Sequence, residues 1–541
     1  MQLIDLNQDI IFYILDNVHI KHKPGASYTE QPDLASLART CRALRDPALN
    51  VLWRTQNSLV PLVSTLPEGA WEIREDTSDV WSGDLEFIFL TRPLLPSDWE
   101  RFFIYAPRVK HLFVGRANSI GPDWKGVHHS TLCTLFESCP APRLLPNLCS
   151  FEIYTPSWIL GSKCDLSIFR SCLSTMLNPT LRTLKFEAAF DGKMLHSILD
   201  AISRCRQLDE LAIEETSNDL LLTNVHPGLA HLRSFNSGQN YRILLSLNAV
   251  FAVGTWSRLV ELEITISEDI TPEDLMLRGS QGEYFPALRR LFLYTYAHRL
   301  IPPFIASVRS TQMEEIHFDV YATFTPATLP EVYNCLARHV DTLTHLQSFS
   351  VNVLEVVKSK KPNFLSSTSI FTPLFPLRKL RTVKILSRRL STATVVTAAD
   401  VAVMPQAWPN LEVLDVCMFR SRHVTLSTVA DLADRCPRLW QLCIYVDATS
   451  VPDISIELPV HSSCGTRTPA RLRILEVADS PVRDLARVAA FLAQRLPSVR
   501  KISFRRKYES EWEYICDHMT TGCRTRLRWQ EDSDDDEDDE S

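Results

Sequence analysis

The sequence predicts an α/β solenoid, with a parallel sheet on its inner side and helices on its outer side, preceded by a short helical segment. Three observations support this fold class: a six-residue apolar phrase recurs along most of the chain, helical patterns lie between its copies, and proline often precedes it. Repetition of one strand and one helix every 24 to 39 residues indicates stacked units that cannot bury their apolar faces alone.

The repeated phrase is an apolar residue, two variable residues, an apolar residue, one variable residue and a final apolar residue. Its last four positions alternate, which predicts a short strand with one buried face. The fourteen copies begin at residues 109, 148, 181, 208, 232, 259, 288, 313, 346, 380, 411, 439, 472 and 499. The mean period is about 30 residues, and the arrangement resembles leucine-rich repeats.

Proline and helical patterns define the segments between the phrases. Proline ends a preceding helix and favours an extended chain after it. Seven copies carry proline two residues before their first apolar position, at Pro107, Pro146, Pro179, Pro286, Pro409, Pro437 and Pro497. Helical spacing of apolar residues is clear in 194–205, 329–340, 426–436 and 482–496. Several unrelated α/β domains are the alternative, but the phrase recurs too regularly to favour it.

The inner face of the sheet is the natural binding surface of such a solenoid. The positions predicted to be central and exposed on this face are Phe113, Glu152, Lys185, Ala212, Asn236, Glu263, Phe292, His317, Ser350, Lys384, Asp415, Cys443, Glu476 and Ser503. This mixture lacks the basic stripe that nucleic acid requires, so a protein or peptide target is expected. We predict target contacts at Phe292, Tyr294, Glu263 and His317. Alternatively, these aromatic residues only stack on neighbouring strands.

The first 55 residues have a different pattern. Apolar residues at helical spacing occur in 3–18 and 33–46, Pro47 is expected to break the second helix, and a third run contains Trp53. Three short helices make a small core that usually needs a covering partner. The pattern resembles an F-box, through Leu6, Ile10, Ile11, Leu15, Leu37, Cys41, Leu44, Leu52 and Trp53. Asn7 stands where that family usually has proline, and the loop 19–32 is long. The alternative is a helical cap on the solenoid.

The resemblance to F-box proteins with C-terminal repeats, a layout abundant in basidiomycete fungi, implies a role in an SCF-type ubiquitin ligase. The nine F-box residues would bind the adaptor subunit and, through it, a cullin, while the repeats would bind a target protein. The alternative function is a scaffold or cargo-binding solenoid with no ubiquitin role. The expected organisation is 1–55 F-box, 56–107 connector, 108–530 solenoid and 531–541 acidic tail.

Composition narrows the remaining possibilities. The net charge is −7, but nine acids lie in 531–541, so residues 1–530 carry +2. The tail is expected to be solvated and disordered. The fourteen cysteines show no zinc or redox spacing. Phosphate-loop, dinucleotide and hydrolase motifs are absent, so we expect a non-enzyme without metal or cofactor. The longest uncharged stretch is too short to span a bilayer, and a cytoplasmic or nuclear location is expected.

Overall fold

All fourteen apolar phrases form strands, and the strands pair in parallel. The computed structural model describes residues 10–15, 32–75, 86–114, 125–154, 175–188, 192–215, 219–238, 242–321, 328–353, 371–387, 395–416, 420–422, 424–451, 471–504, 506–519 and 524–527. The chain divides into two compact units. Unit 1 contains residues 1–259 and 263–265, and unit 2 contains residues 260–262 and 266–541. The predicted boundaries near 55, 107 and 530 stay predictions.

Within its described residues, unit 1 contains eleven short strands, most of them paired in parallel, and eight helices. Its strands are β1 (Thr55–Gln56), β2 (Trp71–Glu75), β3 (Glu86–Leu90), β4 (His111–Val114), β5 (Lys125–Val127), β6 (Ser150–Tyr154), β7 (Thr183–Ala188), β8 (Glu210–Glu215), β9 (Leu220–Leu222), β10 (Ser234–Asn236) and β11 (Ile243–Leu245). Its helices are α1 (residues 10–15), α2 (Pro32–Thr40), α3 (Arg42–Arg54), α4 (Val60–Val63), α5 (Trp99–Tyr105), α6 (His129–Ser138), α7 (Gly192–Ile202) and α8 (Leu247–Gly254).

Strand β12 (Glu261–Ile266) has residues in both units. The other strands of unit 2 are β13 (Arg290–Thr295), β14 (Glu315–Val320), β15 (Ser348–Val353), β16 (Thr382–Ser387), β17 (Val395–Thr397), β18 (Val413–Asp415), β19 (Arg420–Arg422), β20 (Gln441–Cys443), β21 (Ile474–Ala478), β22 (Lys501–Phe504) and β23 (Arg524–Leu527). Its described helices are α9 (Pro272–Gly279), α10 (Ile301–Ser307), α11 (Thr328–Arg338), α12 (Ala398–Ala407), α13 (Leu426–Arg435), α14 (Leu485–Arg495) and α15 (Glu509–His518).

A shared carbonyl fixes each strand against the one before it. The carbonyl of Cys149 accepts hydrogen bonds from the amides of Arg182 and Thr183, at 2.8 and 3.1 Å. In unit 2 the carbonyl of Gln347 accepts from Arg381 and Thr382 in the same way, at 2.7 and 3.0 Å. The two donors are always the first and second variable positions of the phrase, so the phrase itself sets the register.

Side chains on the outer face of the strands form the core. In unit 2 the residues before each central position are fully buried, at Leu291, Ile316, Phe349, Val383, Leu414, Leu442, Leu475 and Ile502. Large indoles fill the space between strands and helices, and their N–H groups are satisfied. Trp408 Nε1 donates to the carbonyl of Leu374 at 3.3 Å, and Trp512 Nε1 donates to that of Ser480 at 3.1 Å. Alternation therefore buries one face of every strand, as the phrase predicts.

The N-terminal helices show one departure from the predicted pattern. Pro47 does not break the second helix, because α3 runs through it from Arg42 to Arg54. The break lies at Cys41, whose backbone is extended (φ −155°, ψ 161°) between α2 and α3. A proline here removes one intrahelical hydrogen bond, and the packing of Leu44, Ala48 and Val51 in the helical core offsets that loss.

Additional strands lie outside the fourteen phrases. In unit 1, β2 and β3 form an antiparallel pair, and β5 adds to β3 in parallel. Strands β2 and β3 of this small sheet lie in the segment predicted as a connector, and β5 lies in the predicted solenoid. In unit 2, β17 pairs with β19, and β23 extends the main ladder from β22. None of these strands lies in one of the fourteen copies of the six-residue apolar phrase.

Candidate protein-binding site

The predicted central positions line up across neighbouring strands. In unit 1 the register joins Phe113, Glu152, Lys185, Ala212 and Asn236 in that order. In unit 2 it joins Phe292, His317, Ser350, Lys384, Asp415, Cys443, Glu476 and Ser503, and continues to Arg526. Arg526 was missed because its strand carries no apolar phrase.

The prediction that all these positions are exposed is wrong at six of them. The buried positions are Ala212, Ser350, Asp415, Cys443, Glu476 and Ser503. Four of the six have short side chains, which lie below longer neighbours when strands are about 4.8 Å apart. Glu476 is held by polar contacts instead, because its carboxylate accepts from Gln441 Nε2 at 3.3 Å and from Cys443 Sγ at 3.6 Å. The accessible part of the column is therefore shorter than expected.

An aromatic patch forms where β13 and β14 lie side by side. Phe292 and His317 are register partners, with ring centroids 5.8 Å apart and ring planes 40° apart. The ring of Tyr294 lies 6.3 Å from that of His317 on the same face. Phe292 and His317 are partly exposed, while Tyr294 is 7% exposed and supports them from below. The structure thus brings together three of the four residues predicted to contact a target.

A buried carboxylate, which the sequence reasoning missed, orients the histidine of this patch. His317 Nε2 donates to Asp319 Oδ1 at 3.0 Å, and the Asp319 side chain is 6% exposed. The sequence could have indicated this contact, because Asp319 lies two residues after His317 and such residues share one face of a strand. A second aromatic pair extends the surface, with the rings of Tyr296 and Tyr321 5.4 Å apart. We call Phe292, Tyr294, His317 and Asp319 the aromatic patch.

Polar residues continue from the aromatic patch along the next two strands. Ser350 follows His317 in register, and Lys384 follows Ser350. Lys384 is partly exposed and lies two strand spacings, or about 10 Å, from His317. A ligand crossing these strands would meet aromatic rings first and a single positive charge next. Such a surface suits a polypeptide better than a metal ion or a small cofactor.

Glu263, the fourth predicted target residue, belongs to unit 1. Its Oε2 accepts a hydrogen bond from Asn236 Nδ2 at 2.5 Å, so the side chain is partly engaged in the sheet. Another pair on this face of unit 1 joins Lys185 Nζ to Glu210 Oε1 at 3.0 Å. Cross-strand ion pairs of this kind stabilise a sheet modestly. The central face of unit 1 is therefore mainly charged, with Phe113 as its aromatic central position.

The residues predicted to bind an adaptor fall into buried and exposed groups. Ile11, Leu15 and Leu44 are buried in a core formed by the N-terminal helices themselves, and Leu37 and Leu52 pack against it. These five residues support the helices rather than present a surface. Ile10 and Cys41 are exposed, and Leu6 lies outside the described residues.

Two exposed residues beside Ile10 were missed by the sequence reasoning. Tyr13 is 71% exposed and Ile14 is 36% exposed, on the same short helix as Ile10. We call Ile10, Tyr13 and Ile14 the N-terminal apolar surface. Tyr13 and Ile14 follow Ile10 at helical spacing, so all three lie on one face of the helix. The sequence would have indicated this surface once Ile11 and Leu15 had been assigned to the core.

Trp53 is covered by its own chain. Its ring stacks on Tyr105 with a centroid distance of 4.5 Å and an interplanar angle of 24°. The neighbouring Arg108 holds the same helix, because its Nη2 donates to Asp46 Oδ1 at 2.7 Å and its Nη1 donates to Asn50 Oδ1. Helix α3 is thus tied to α5 through Tyr105 and to the turn after α5 through Arg108, as a capping helix would be.

The described residues include side chains of metal-ligating types and nine cysteines. Among them, no group of His, Cys, Asp and Glu has the arrangement of a metal site. The nine described cysteines are free thiols, and burial raises the pKa of Cys335 and of Cys436 to about 11. Thiols of that kind are poor nucleophiles at neutral pH. Within the same part of the chain, no helix is long and apolar enough to cross a membrane.

Comparisons with known proteins give only distant structural similarity. No protein-family model matches the chain, and no curated protein matches it. Similar solved structures include an internalin (inlF) from Listeria monocytogenes, at 14% identity and a TM-score of 0.31, covering 72% of this chain and 82% of that one.

Two plant proteins are similarly distant. The leucine-rich-repeat ectodomain of the receptor kinase GASSHO1/SCHENGEN3 from Arabidopsis thaliana, in complex with CASPARIAN STRIP INTEGRITY FACTOR 2, has 9% identity and a TM-score of 0.26, covering 77% of this chain and 52% of that one. The plant peptide hormone receptor RGFR1, in complex with RGF2, has 11% identity and a TM-score of 0.24, covering 79% and 71%. With TM-scores below 0.5, these similarities carry no functional argument. The chain is an α/β protein with a long parallel sheet, on the strength of its own strand register.

Proposed function

We propose that this chain is a non-catalytic, protein-binding repeat protein, and that the aromatic patch of unit 2 holds its target. The observation that carries the proposal is the partly exposed pair Phe292 and His317, supported by Tyr294 and by the buried Asp319. Rigid aromatic side chains that are fixed before binding are the residues that most often dominate protein interfaces. The patch has that preorganised character.

The aromatic patch also fits a polypeptide target by its surroundings. Ser350 and Lys384 provide polar groups at the side of the rings, as the rim of an interface does. A target segment with an apolar side chain for the rings and an acidic group for Lys384 would match both. The recognised element is therefore a short peptide segment with an apolar side chain and an acidic group.

The test is capture of proteins from a cell extract followed by quantitative mass spectrometry. The variant Phe292→Ala/Tyr294→Ser should capture at least tenfold less target than the wild type. Truncating an interface aromatic side chain commonly costs about 2 kcal/mol or more of binding free energy. Tyr514→Ala is the matched control, because Tyr514 is 39% exposed on helix α15 and lies outside the patch. Capture by folded Phe292→Ala/Tyr294→Ser at the wild-type level would remove the patch as the target site.

A second function, an F-box that docks on an SCF adaptor, is favoured by the N-terminal apolar surface. Ile10, Tyr13 and Ile14 form an apolar surface on a small helical core. Exposed apolar residues grouped on one helix face are typical of partner surfaces. In this proposal the adaptor and its cullin bind there, and the target held by the repeats is ubiquitinated through proximity. The chain would then act in the cytoplasm or nucleus, which suits its free thiols.

Adaptor docking is tested with purified adaptor subunit and the full-length chain. Ile10→Ser/Ile14→Ser should abolish binding, while Arg42→Ser, an exposed change on α3, should leave it intact. If the first variant binds the adaptor as well as the wild type does, the F-box proposal is wrong. The alternative, a scaffold or cargo-binding protein without a ubiquitin role, would then be favoured. Trp53 is unsuitable for this test because its loss would also disturb the stack on Tyr105.

A further inference from the structure

A ladder of side chains runs along the edge of unit 2 where its strands begin. Arg381, Glu412, Trp440, Arg473 and Arg500 occupy the first variable position of successive phrases. From Glu412 onward, each donates its amide to the carbonyl of the one before, at 2.7, 3.0, 2.9 and 2.9 Å. Neighbours in the ladder are therefore about one strand spacing, or roughly 4.8 Å, apart. We call these five residues the basic edge.

The basic edge has more Arg side chains than carboxylate partners among the described residues. Arg381 pairs with Glu412 at 3.5 Å, whereas no ion pair engages Arg473 or Arg500 among the described residues. Trp440 is 38% exposed between them. The turns before these strands add three exposed cations, Arg378, Arg438 and Arg471. A surface with an excess of positive charge and an exposed indole attracts an anionic segment of polypeptide.

We propose that the acidic segment 531–541 of the same chain binds the basic edge. Nine of its eleven residues are acids, so its charge is opposite in sign to that of the Arg residues at the edge. The segment follows β23, and β23 pairs in parallel with β22, with Arg524 beside Lys501 and thus next to Arg500. Strand β23 has four residues, so its last residue lies only about 13 Å from that edge. Eleven extended residues span up to roughly 35 Å, which is enough to reach Arg473 and Arg500.

The contact is electrostatic and needs no fixed conformation of the acidic segment. The expected solvation and disorder of this segment stay predictions, because residues 531–541 lie outside the residues that the structure describes. Because the segment is tethered, its effective concentration at the basic edge is on the order of millimolar. The segment would therefore occupy the edge even with modest intrinsic affinity, and an acidic partner would have to displace it. Screening by salt should release it, since the charges are exposed.

The experiment measures binding of a fluorescein-labelled synthetic peptide with the sequence of residues 531–541, by fluorescence anisotropy. The receptors are the full-length wild type and a full-length variant in which the nine acids of 531–541 are replaced by Asn and Gln. The neutral variant should bind the peptide at least tenfold more tightly than the wild type, because its edge is vacant. Adding Arg473→Glu/Arg500→Glu to the neutral variant should lower the affinity at least tenfold.

The matched control adds Arg278→Glu/Arg299→Glu to the neutral variant, because both residues are exposed in unit 2 and lie outside the basic edge. It makes the same change in net charge and should leave binding within twofold. Three results would overturn the proposal: equal peptide affinity for wild type and neutral variant, no binding by the neutral variant, or equal losses for the two Glu pairs. Circular dichroism confirms that all variants are folded.

A second measurement uses the unaltered protein. Carbodiimide coupling activates a carboxylate, which then forms an amide with a lysine amine while the carbodiimide leaves as a urea. Cross-links from 531–541 should concentrate on Lys501 and Lys379, the lysines beside Arg500 and Arg381. Cross-links found mainly on Lys110 or Lys185 of unit 1 would contradict the proposal.

Discussion

His317 Nε2 lies 3.0 Å from Asp319 Oδ1, so a buried carboxylate two residues along the same strand orients the most exposed polar group of the aromatic patch. Side chains two residues apart on a strand lie on the same face. Here the buried Asp319 is the hydrogen-bond acceptor, and His317 covers it. Charge-assisted hydrogen bonds of this kind are stronger than neutral ones. The pair fixes the imidazole before any ligand arrives.

The first prediction concerns this pair. Asp319→Ala should lower the free energy of unfolding by about 1–3 kcal/mol, because it leaves the imidazole without its buried acceptor. Asp319→Asn should cost less, since the amide oxygen still accepts a hydrogen bond. Urea denaturation followed by circular dichroism measures both. Glu268→Ala, at an exposed position of unit 2, is the control and should change stability by less than about 0.5 kcal/mol.

The second prediction concerns the stack of Trp53 on Tyr105. Trp53→Ala should destabilise unit 1 by about 2 kcal/mol, because a half-buried indole loses its apolar contact and its ring partner. Trp53→Phe should recover part of that loss. Tyr13→Ala, at a side chain that is 71% exposed, should have little effect on thermal unfolding. A Trp53→Ala protein as stable as the wild type would show that α3 is not held by this contact.

The third prediction concerns pH and the buried thiols. Burial raises the pKa of Cys335 and Cys436 to about 11 in the folded protein, above the ordinary thiol value in the unfolded chain. A raised folded pKa means that the stabilisation is complete below the unfolded pKa and is lost as pH rises through the folded one. Stability should therefore fall between about pH 9 and pH 11.

Alkylation resolves the same thiols individually. Iodoacetamide at pH 8 should modify Cys41, which is exposed, well before Cys335 or Cys436, as read from the tryptic peptides by mass spectrometry. Comparable rates at all three positions would mean that the buried thiols open to solvent readily. Replacing Cys335 and Cys436 together with Ala should flatten the alkaline fall in stability.

The fourth prediction concerns Arg108, which joins α3 to the turn after α5. Arg108→Lys keeps the charge but cannot make the two-pronged contact with Asp46 and Asn50. The rate of amide hydrogen exchange in the first half of α3 should therefore rise, because the free energy of local opening falls by about 1 kcal/mol. Arg42→Lys, on the same helix and exposed, serves as the control. Unchanged exchange in Arg108→Lys would assign the stability of α3 to its apolar core alone.

The repeated phrase predicted the strands and their register, because alternation of apolar residues is a local property. It therefore placed Phe292 beside His317 correctly. It could not predict exposure, which depends on the side chains of neighbouring strands. Cys443 is short and lies below longer neighbours, and Glu476 is held by Gln441 and Cys443. Nor could helical spacing alone distinguish the buried Ile11 from the exposed Ile10, because each apolar face of a short helix is a candidate core.

The carbonyl that accepts two amides has a consequence for the loops between strands. Because two adjacent amides bind one carbonyl of the preceding strand, the length of the connecting loop does not decide which side chains of the next strand face inwards. Doubling a connecting loop costs only about 0.6 kcal/mol in closure entropy. The interval between phrases therefore varies from 24 to 39 residues in this chain, while the central positions stay aligned from strand to strand.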